Sequence, residues 1–233
     1  MKIVTNQKLI SRNAKIGKYT TFASLAVLGI GMYLTFAQSE LINWSFAALM
    51  VGFLLSQIGI YFSSRWGKSP RPDEILNTSL KGLEDKYTLY HYAAVIPHLL
   101  VGPAGIWIIN PYQQAGTITY NENKGRWQQK GGNLYLKIFA QDSLGRPDLE
   151  VKTHTEDLQK FIKEKFPDTQ FPAIQNILVF TNPKANVQAP EAPIPTLVID
   201  KLKEFIRKRP KESALPQDCI KLLQDTFPKP AKE

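Results

Sequence analysis

The residues of this chain best placed to do chemistry lie in one segment, Ile96 to Gly116, IPHLLVGPAGIWIINPYQQAG. The chemistry to weigh for this segment is metal-assisted hydrolysis. That chemistry needs anionic oxygens converging on a hard cation and a group that orients water or stabilises developing charge. From Lys86 through Asn121 there is no Asp or Glu, so this segment supplies no carboxylate of its own. Proline has no side-chain ligand, asparagine offers only a neutral carbonyl oxygen, and a tyrosine hydroxyl is uncharged near neutral pH. Asp73 or Glu74, upstream, would add a single acid, and one acid is not a metal site. Asp142, Asp148 and Glu150 follow downstream with no spacing that brings them in.

The elements that must position these residues read as a hairpin. Leu99-Leu100-Val101 is a short apolar run, Gly102-Pro103-Ala104-Gly105 supplies turn residues, and Ile106-Trp107-Ile108-Ile109 is a second run rich in β-branched and aromatic side chains. Upstream, Asp73 to Leu83 has apolar Ile75, Leu76, Leu80 and Leu83 at helical spacing. Tyr87 to Tyr92 alternates as a strand does, and Thr117 to Tyr120 is a further strand. Asn121 to Gly132 reads as loop, with a short strand at Leu134 to Phe139. A helix begins near Thr155, carrying Leu158, Phe161, Ile162 and Phe166. Ile177 to Phe180 and Thr196 to Ile199 are buried-type strands on either side of a Pro- and Ala-rich loop. Lys201 to Arg209 is helical and stopped by Pro210, and a last helix runs from Gln217 to Phe227.

The hairpin resembles the nuclease-related domain (NERD) family, whose fold is similar to that of PD-(D/E)XK nucleases. The resemblance is carried by His98 with three following apolar residues, Gly-Pro-Ala-Gly at 102 to 105, Ile-Trp-Ile-Ile, and Gly116 followed by Thr117-Ile118. It extends over roughly residues 71 to 200, with Gly125-Arg126-Trp127 standing for the family's downstream Trp. It implies a mixed α/β nuclease-like fold. The family's pattern also has an Asp before the His and a Glu-x-Lys unit after the second strand. Those positions are Pro97, Asn110 and Tyr112 here, and Asp73 or Glu74 stands for the helical acid. The resemblance therefore implies vestigial motif positions, Asp73, Pro97, His98, Asn110 and Tyr112, with no catalytic residue, metal or cofactor assigned.

Two apolar runs precede this domain, residues 20–37 and 41–62, with no charged side chain in either. Each is long enough for a helix of about 1.5 Å rise per residue to cross a hydrocarbon core of about 30 Å. Gln38-Ser39-Glu40 leaves room only for a tight helical hairpin, and Gly52, Ser56 and Gly59 offer a small-residue face for close packing. The first run exceeds the usual signal-peptide core of about 7–15 residues and lacks a good cleavage pattern. Residues 1–71 hold eight Lys or Arg and one acid, Glu40, so most of the chain's net charge of +9 flanks the two runs on the side of both termini. By the positive-inside rule both termini are expected in the cytoplasm.

That placement removes the high pI as a nucleic-acid signature, since residues 72–233 are close to neutral. Lys201, Lys203, Arg207, Lys208 and Arg209 carry two readings. They are a solvated helix whose basic last turn opposes the helix dipole, or an anion patch for nucleic acid or anionic lipid. The single Cys219 excludes an internal disulfide, and His91, His98 and His154 have no metal spacing.

The expectation is a multi-pass protein of a bacterial inner or plasma membrane. Residues 1–19 are a basic cytoplasmic N-terminus, 20–37 and 41–62 transmembrane helices, 63–72 a linker, 73–200 the NERD-like domain and 201–233 C-terminal helices. Its partner is the lipid bilayer, with the protein partner unassigned. The function expected is binding or scaffolding by a domain that has lost nuclease chemistry. The alternatives are an active membrane-tethered nuclease with a rearranged metal site, and a protein-partner or regulatory module without nucleic-acid binding.

Overall fold

The computed structural model describes residues 1–132, 143–209 and 216–228. The strand expected at Leu134 to Phe139, Asp142 and the helix stop at Pro210 lie outside them. The chain folds as two units, Gln7–Arg71 and a second made of Met1–Asn6 with Pro72–Glu233.

The first unit is helical. Helix α1 (Gln7–Ala37) and helix α2 (Ile42–Phe62) are joined through a 3-10 turn, Ser39–Leu41, and α2 ends in a π turn, Ser63–Gly67. Both helices are long and apolar enough to cross a membrane. Their packing follows from small residues at seven-residue intervals. Gly17, Ser24 and Gly31 are buried on α1, as are Ser45, Gly52 and Gly59 on α2, and a repeat of seven keeps one face of a helix on its partner. A Cβ added at Gly31 would lie 3.1 Å from Leu49, one at Gly52 3.1 Å from the Leu28 nitrogen, and one at Gly59 3.1 Å from the Thr21 nitrogen. Ser45 Oγ donates to the Gly31 carbonyl at 2.7 Å and also meets Thr35 Oγ1. Ser56 lies off the seam and donates to its own helix at Phe53. The outward residues are large and apolar: Phe22, Leu25, Met32, Trp44, Phe46 and Phe53 are all exposed.

The second unit is a mixed α/β domain. Its main sheet has the order β1-β2-β3-β4-β7-β9, where β1 is Lys2–Thr5, β2 Thr88–His91, β3 His98–Gly102, β4 Gly105–Tyr112, β7 Gln175–Phe180 and β9 Thr196–Val198. Strands β2, β3 and β4 form an antiparallel meander. Strand β1 runs parallel to β2, and β7 and β9 continue parallel beyond β4. A smaller sheet has β5 (Gly116–Asn121) between β6 (Arg126–Lys130) and β8 (Ala185–Gln188).

Alternation along the strands gives the main sheet two apolar faces. Leu89, Leu100, Trp107, Ile109 and Ile177 pack with Leu76 and Leu80 of the α3 region (helix Pro72–Ser79) and with Leu202 and Ile206 of α5 (Ile199–Lys208). Tyr90, Leu99, Val101, Ile106 and Ile108 pack on the other side. Their partners are Leu158 and Ile162 of α4 (Pro147–Lys165) and Ile220 and Leu223 of α6 (Gln217–Thr226).

Several sequence boundaries move. Residues 2–5, expected as the start of a basic tail, form an edge strand of the sheet because Lys2 to Thr5 registers against Thr88 to His91. Helix α4 begins at Pro147 rather than near Thr155, its first turn set by proline, Asp148 and Glu150. Strands β6 and β8 occupy segments expected as loop; both are short and polar, and pairing with β5 rather than local propensity makes them strands. The helices of 201–233 pack into the same unit as the sheet.

Candidate functional site

The vestigial motif positions fall on opposite faces of the main sheet. Register pairs His91 with His98 across β2 and β3, which turns both imidazoles to the α3 face. Asn110 and Tyr112, at the end of β4, alternate with Ile109 and therefore face α4.

On the α3 face, Asp73, His91 and His98 are all buried. His91 Nε2 lies 2.9 Å from Asn77 Oδ1, and His91 Nδ1 lies 2.8 Å from His98 Nδ1. A carbonyl oxygen only accepts, so Nε2 of His91 carries the proton and donates to Asn77. Its Nδ1 then accepts from the Nδ1–H of His98. Burial pushes the His91 pKa down to about 4, with the negative charge of Asp73 pulling the other way. The loop between the strands is closed by the Tyr92 N–H donating to the Pro97 carbonyl at 2.7 Å. Tyr92 is left-handed at φ 53°, an uncommon conformation for a bulky residue, and its ring packs edge-on to His98 at 5.0 Å. Pro97 thus serves the turn.

On the α4 face, each motif position is held by a helix residue one turn from the next. His154 Nδ1 donates to Asn110 Oδ1 at 2.9 Å, and the Tyr112 hydroxyl donates to Glu150 Oε2 at 2.7 Å. Glu150 and His154, four apart on α4, share one helix face. Beside them Asn176 Nδ2 donates to Thr155 Oγ1 at 2.9 Å, while Asn176 Oδ1 is buried without a hydrogen-bond partner among the described residues. Tyr112 also stacks on Phe180 with ring centroids 5.5 Å apart.

These residues do not fit a divalent cation. The amide oxygen of Asn110 and one oxygen of Glu150 are committed to donors on the facing element. Among the described residues no three His, Cys, Asp or Glu side chains group as metal ligands. Asp73 is on the other side of the sheet, and Asp148 is held by Arg146 at 2.7 Å, which keeps its carboxyl below the usual range. The arrangement is a hydrogen-bonded clamp between strand and helix.

Sequence reasoning named Glu150 and His154 but gave neither a place at the site, and it left out Asn77 and Asn176. With the helix expected to start at Thr155, the i, i+4 spacing of Glu150 and His154 fell outside any helix. The usable signal was Pro147 followed by two acids, a helix start in its own right. Trp127, the family's downstream Trp, is buried and donates from Nε1 to Thr196 Oγ1 at 3.0 Å, joining the small sheet to β9.

Most of the basic side chains of α5, and Arg209 just beyond it, are engaged within the domain, two of them at Gly82. Arg207 Nη2 donates to the Gly82 carbonyl at 2.6 Å, and Arg209 stacks over Phe205 and Trp107 at 4.6 and 5.2 Å. Lys208 pairs with Glu204 at 2.6 Å. Lys203 reaches towards Gly82, leaving Lys201 exposed to solvent on the outer face.

A mixed sheet flanked by helices on both faces, with a β-meander carrying the motif positions, defines a nuclease-like α/β class. Residues 74–181 match the family model of the nuclease-related domain, and the chain carries that domain. The match runs from α3 through β7, so β1, α1, α2, β8, β9 and the last two helices lie beyond it. No curated protein matches the chain, and no solved structure does.

Proposed function

We propose that this chain is a membrane-anchored pseudoenzyme, a nuclease-related domain that has exchanged phosphodiester cleavage for binding or scaffolding. The observation that carries it is the clamp: Asn110 and Tyr112 are engaged by His154 and Glu150, where hydrolysis would need a carboxylate and an amine facing a metal. Supporting the anchor, the helical unit is inverted relative to a water-soluble hairpin, with glycine and serine inside and Phe, Leu, Met and Trp outside. Small residues let helices approach closely where solvent gives no hydrophobic drive. Basic residues flank the termini side of the hairpin, which favours both termini and the domain in the cytoplasm, at a bacterial inner or plasma membrane.

The test of the chemistry is a plasmid-nicking assay on the purified full chain in detergent, with Mg²⁺ or Mn²⁺. No cleavage is expected. A second reading, an active nuclease with a rearranged site, is favoured by one observation, the Glu150 and His154 pair on one face of α4. Cleavage that co-purifies with the protein and disappears in Glu150→Gln would establish that reading and overturn ours. The anchor is tested in a Cys219→Ser background by labelling from outside intact cells. A cysteine placed at Ser39 is expected to react and one at Lys130 to stay unmodified, and the opposite pattern would overturn the topology.

A further inference from the structure

The fold gathers three lysines, far apart in sequence, around one depression that neither the motif positions nor the helical hairpin use. Strand β1 brings Lys2, the segment entering β2 brings Lys86, and α6 brings Lys221, and together with Gln217 and Gln224 they line a cavity of about 320 Å³. All three lysines are exposed, and none has a carboxylate within 4.0 Å among the described residues. Asp85 is the acid in the lining; the amino nitrogen of Met1 engages it at 2.8 Å and the charge of Lys2 also acts on it, so a single carboxylate stands against the three lysines and that ammonium. Gln224 is fixed in place, its Nε2 donating to Thr88 Oγ1 at 2.9 Å. Helix α6 opens at the rim, at Gln217, without a side-chain cap, but Asp218 in its first turn offsets the positive helix end, so the lysines supply the positive charge here.

Three exposed lysines lining one concave surface with two glutamines favour an anion, and lysines bind phosphate as point charges without demanding one geometry. The volume is at the small end of ligand cavities, which run from about 300 to 1,000 Å³. We propose that the depression bounded by Lys2, Lys86 and Lys221 is a binding site for a small, multiply charged phosphate compound no larger than a mononucleotide. The site stands apart from the β4–α4 clamp and from the membrane reading, and either can fail without it.

The test uses the full chain in detergent micelles with inorganic pyrophosphate as probe, followed by titration calorimetry at low and moderate salt. Saturable binding that weakens with salt is expected, and Lys86→Gln with Lys221→Gln together should weaken it by about tenfold or more. The Lys163→Gln, Lys165→Gln pair, at the far end of α4, should bind as the parent does. Pyrophosphate should also slow acetylation of Lys86 and Lys221 in the unaltered protein, a readout independent of any variant. Absence of binding by the parent chain, equal binding by the Lys86, Lys221 variant, or unchanged acetylation would each overturn the proposal.

Discussion

His91 and His98 meet Nδ1 to Nδ1 at 2.8 Å across the β2–β3 pair, in a setting where both imidazoles are buried. The pair sits where the chain leaves and re-enters the sheet domain. Thr5, the last residue of β1, registers against His91, and the next amide, Asn6 N–H, donates to the His91 carbonyl at 2.9 Å. Asp73, whose charge acts on His91, lies in the first turn of α3, directly after the return. Within the sheet domain this buried polar cluster thus lies beside the last residues of β1 and the first turn of α3.

Stability of the sheet domain should fall as pH drops through the weakly acidic range. The folded pKa of His91 is lowered to about 4, against about 6.5 for an unperturbed histidine. The unfolded chain therefore takes up the proton first. The contribution is complete above pH 6.5 and is lost as pH falls from about 6.5 towards 4, by roughly 3 kcal/mol in all. Urea midpoints at pH 7, 6 and 5 for the parent and for His91→Gln measure it. The variant, though less stable at pH 7, should show the shallower slope, and parallel slopes would remove His91 as the origin.

Close packing of the helical hairpin should depend on the seven-residue seam and not on its glycines in general. A Cβ at Gly59 meets the Thr21 nitrogen at 3.1 Å and its Cα at 3.2 Å, whereas one at Gly29 meets nothing within 4 Å. Gly59→Ile should therefore cost about 1–3 kcal/mol by overpacking, and Gly29→Ala should be neutral or slightly stabilising through helix propensity. Thermal melts in a single detergent compare them. Equal behaviour of the two variants would mean that the seam does not set the helix spacing.

The parts of this molecule that were legible in the sequence are those governed by local pattern. The hairpin around Gly102 to Gly105, the buried run at 177–180 and the two long apolar helices follow from alternation, turn residues and length. The run expected as a buried strand at 196–199 is instead a half-buried strand of 196–198 that gives way to a helix at Ile199. What was not legible depends on distant pairing. Lys2 to Thr5 is a strand only because β2 offers its edge, and residues 126–130 and 185–188 become strands by pairing with β5. The same holds at the candidate site. That Asn110 and Tyr112 offer no carboxylate or amine to a metal was readable from residue type. That His154 and Glu150 hold them required knowing where α4 begins, and that Asp73 lies on the opposite face required the register of β2 and β3. On the hairpin, reading Gly52, Ser56 and Gly59 as one face missed Ser45, because a seven-residue seam skips the residue four places on.

The basic helix α5 should behave as a structural element whose arginines matter more than its lysines. Arg209 lies over both Phe205 and Trp107, a stack for which about 0.5–2 kcal/mol is typical, and Arg207 donates to the Gly82 carbonyl at 2.6 Å. Lys208 shares an exposed pair with Glu204, and helix pairs of that kind are typically worth only a few tenths of a kcal/mol. Replacing Arg207 and Arg209 by Gln should lower stability by roughly 1–3 kcal/mol, while replacing Lys201, Lys203 and Lys208 by Gln should change it by less than about 1 kcal/mol. Denaturant midpoints rank the two variants, and co-sedimentation with vesicles of anionic lipid, or titration with duplex DNA across a salt series, asks about the surface. If α5 is structural, the lysine triple variant should keep both its stability and its salt dependence of binding. A drop in the salt slope by about three units, one for each phosphate that a lysine would otherwise neutralise, in a variant that stays folded would instead make the helix an anion-binding face.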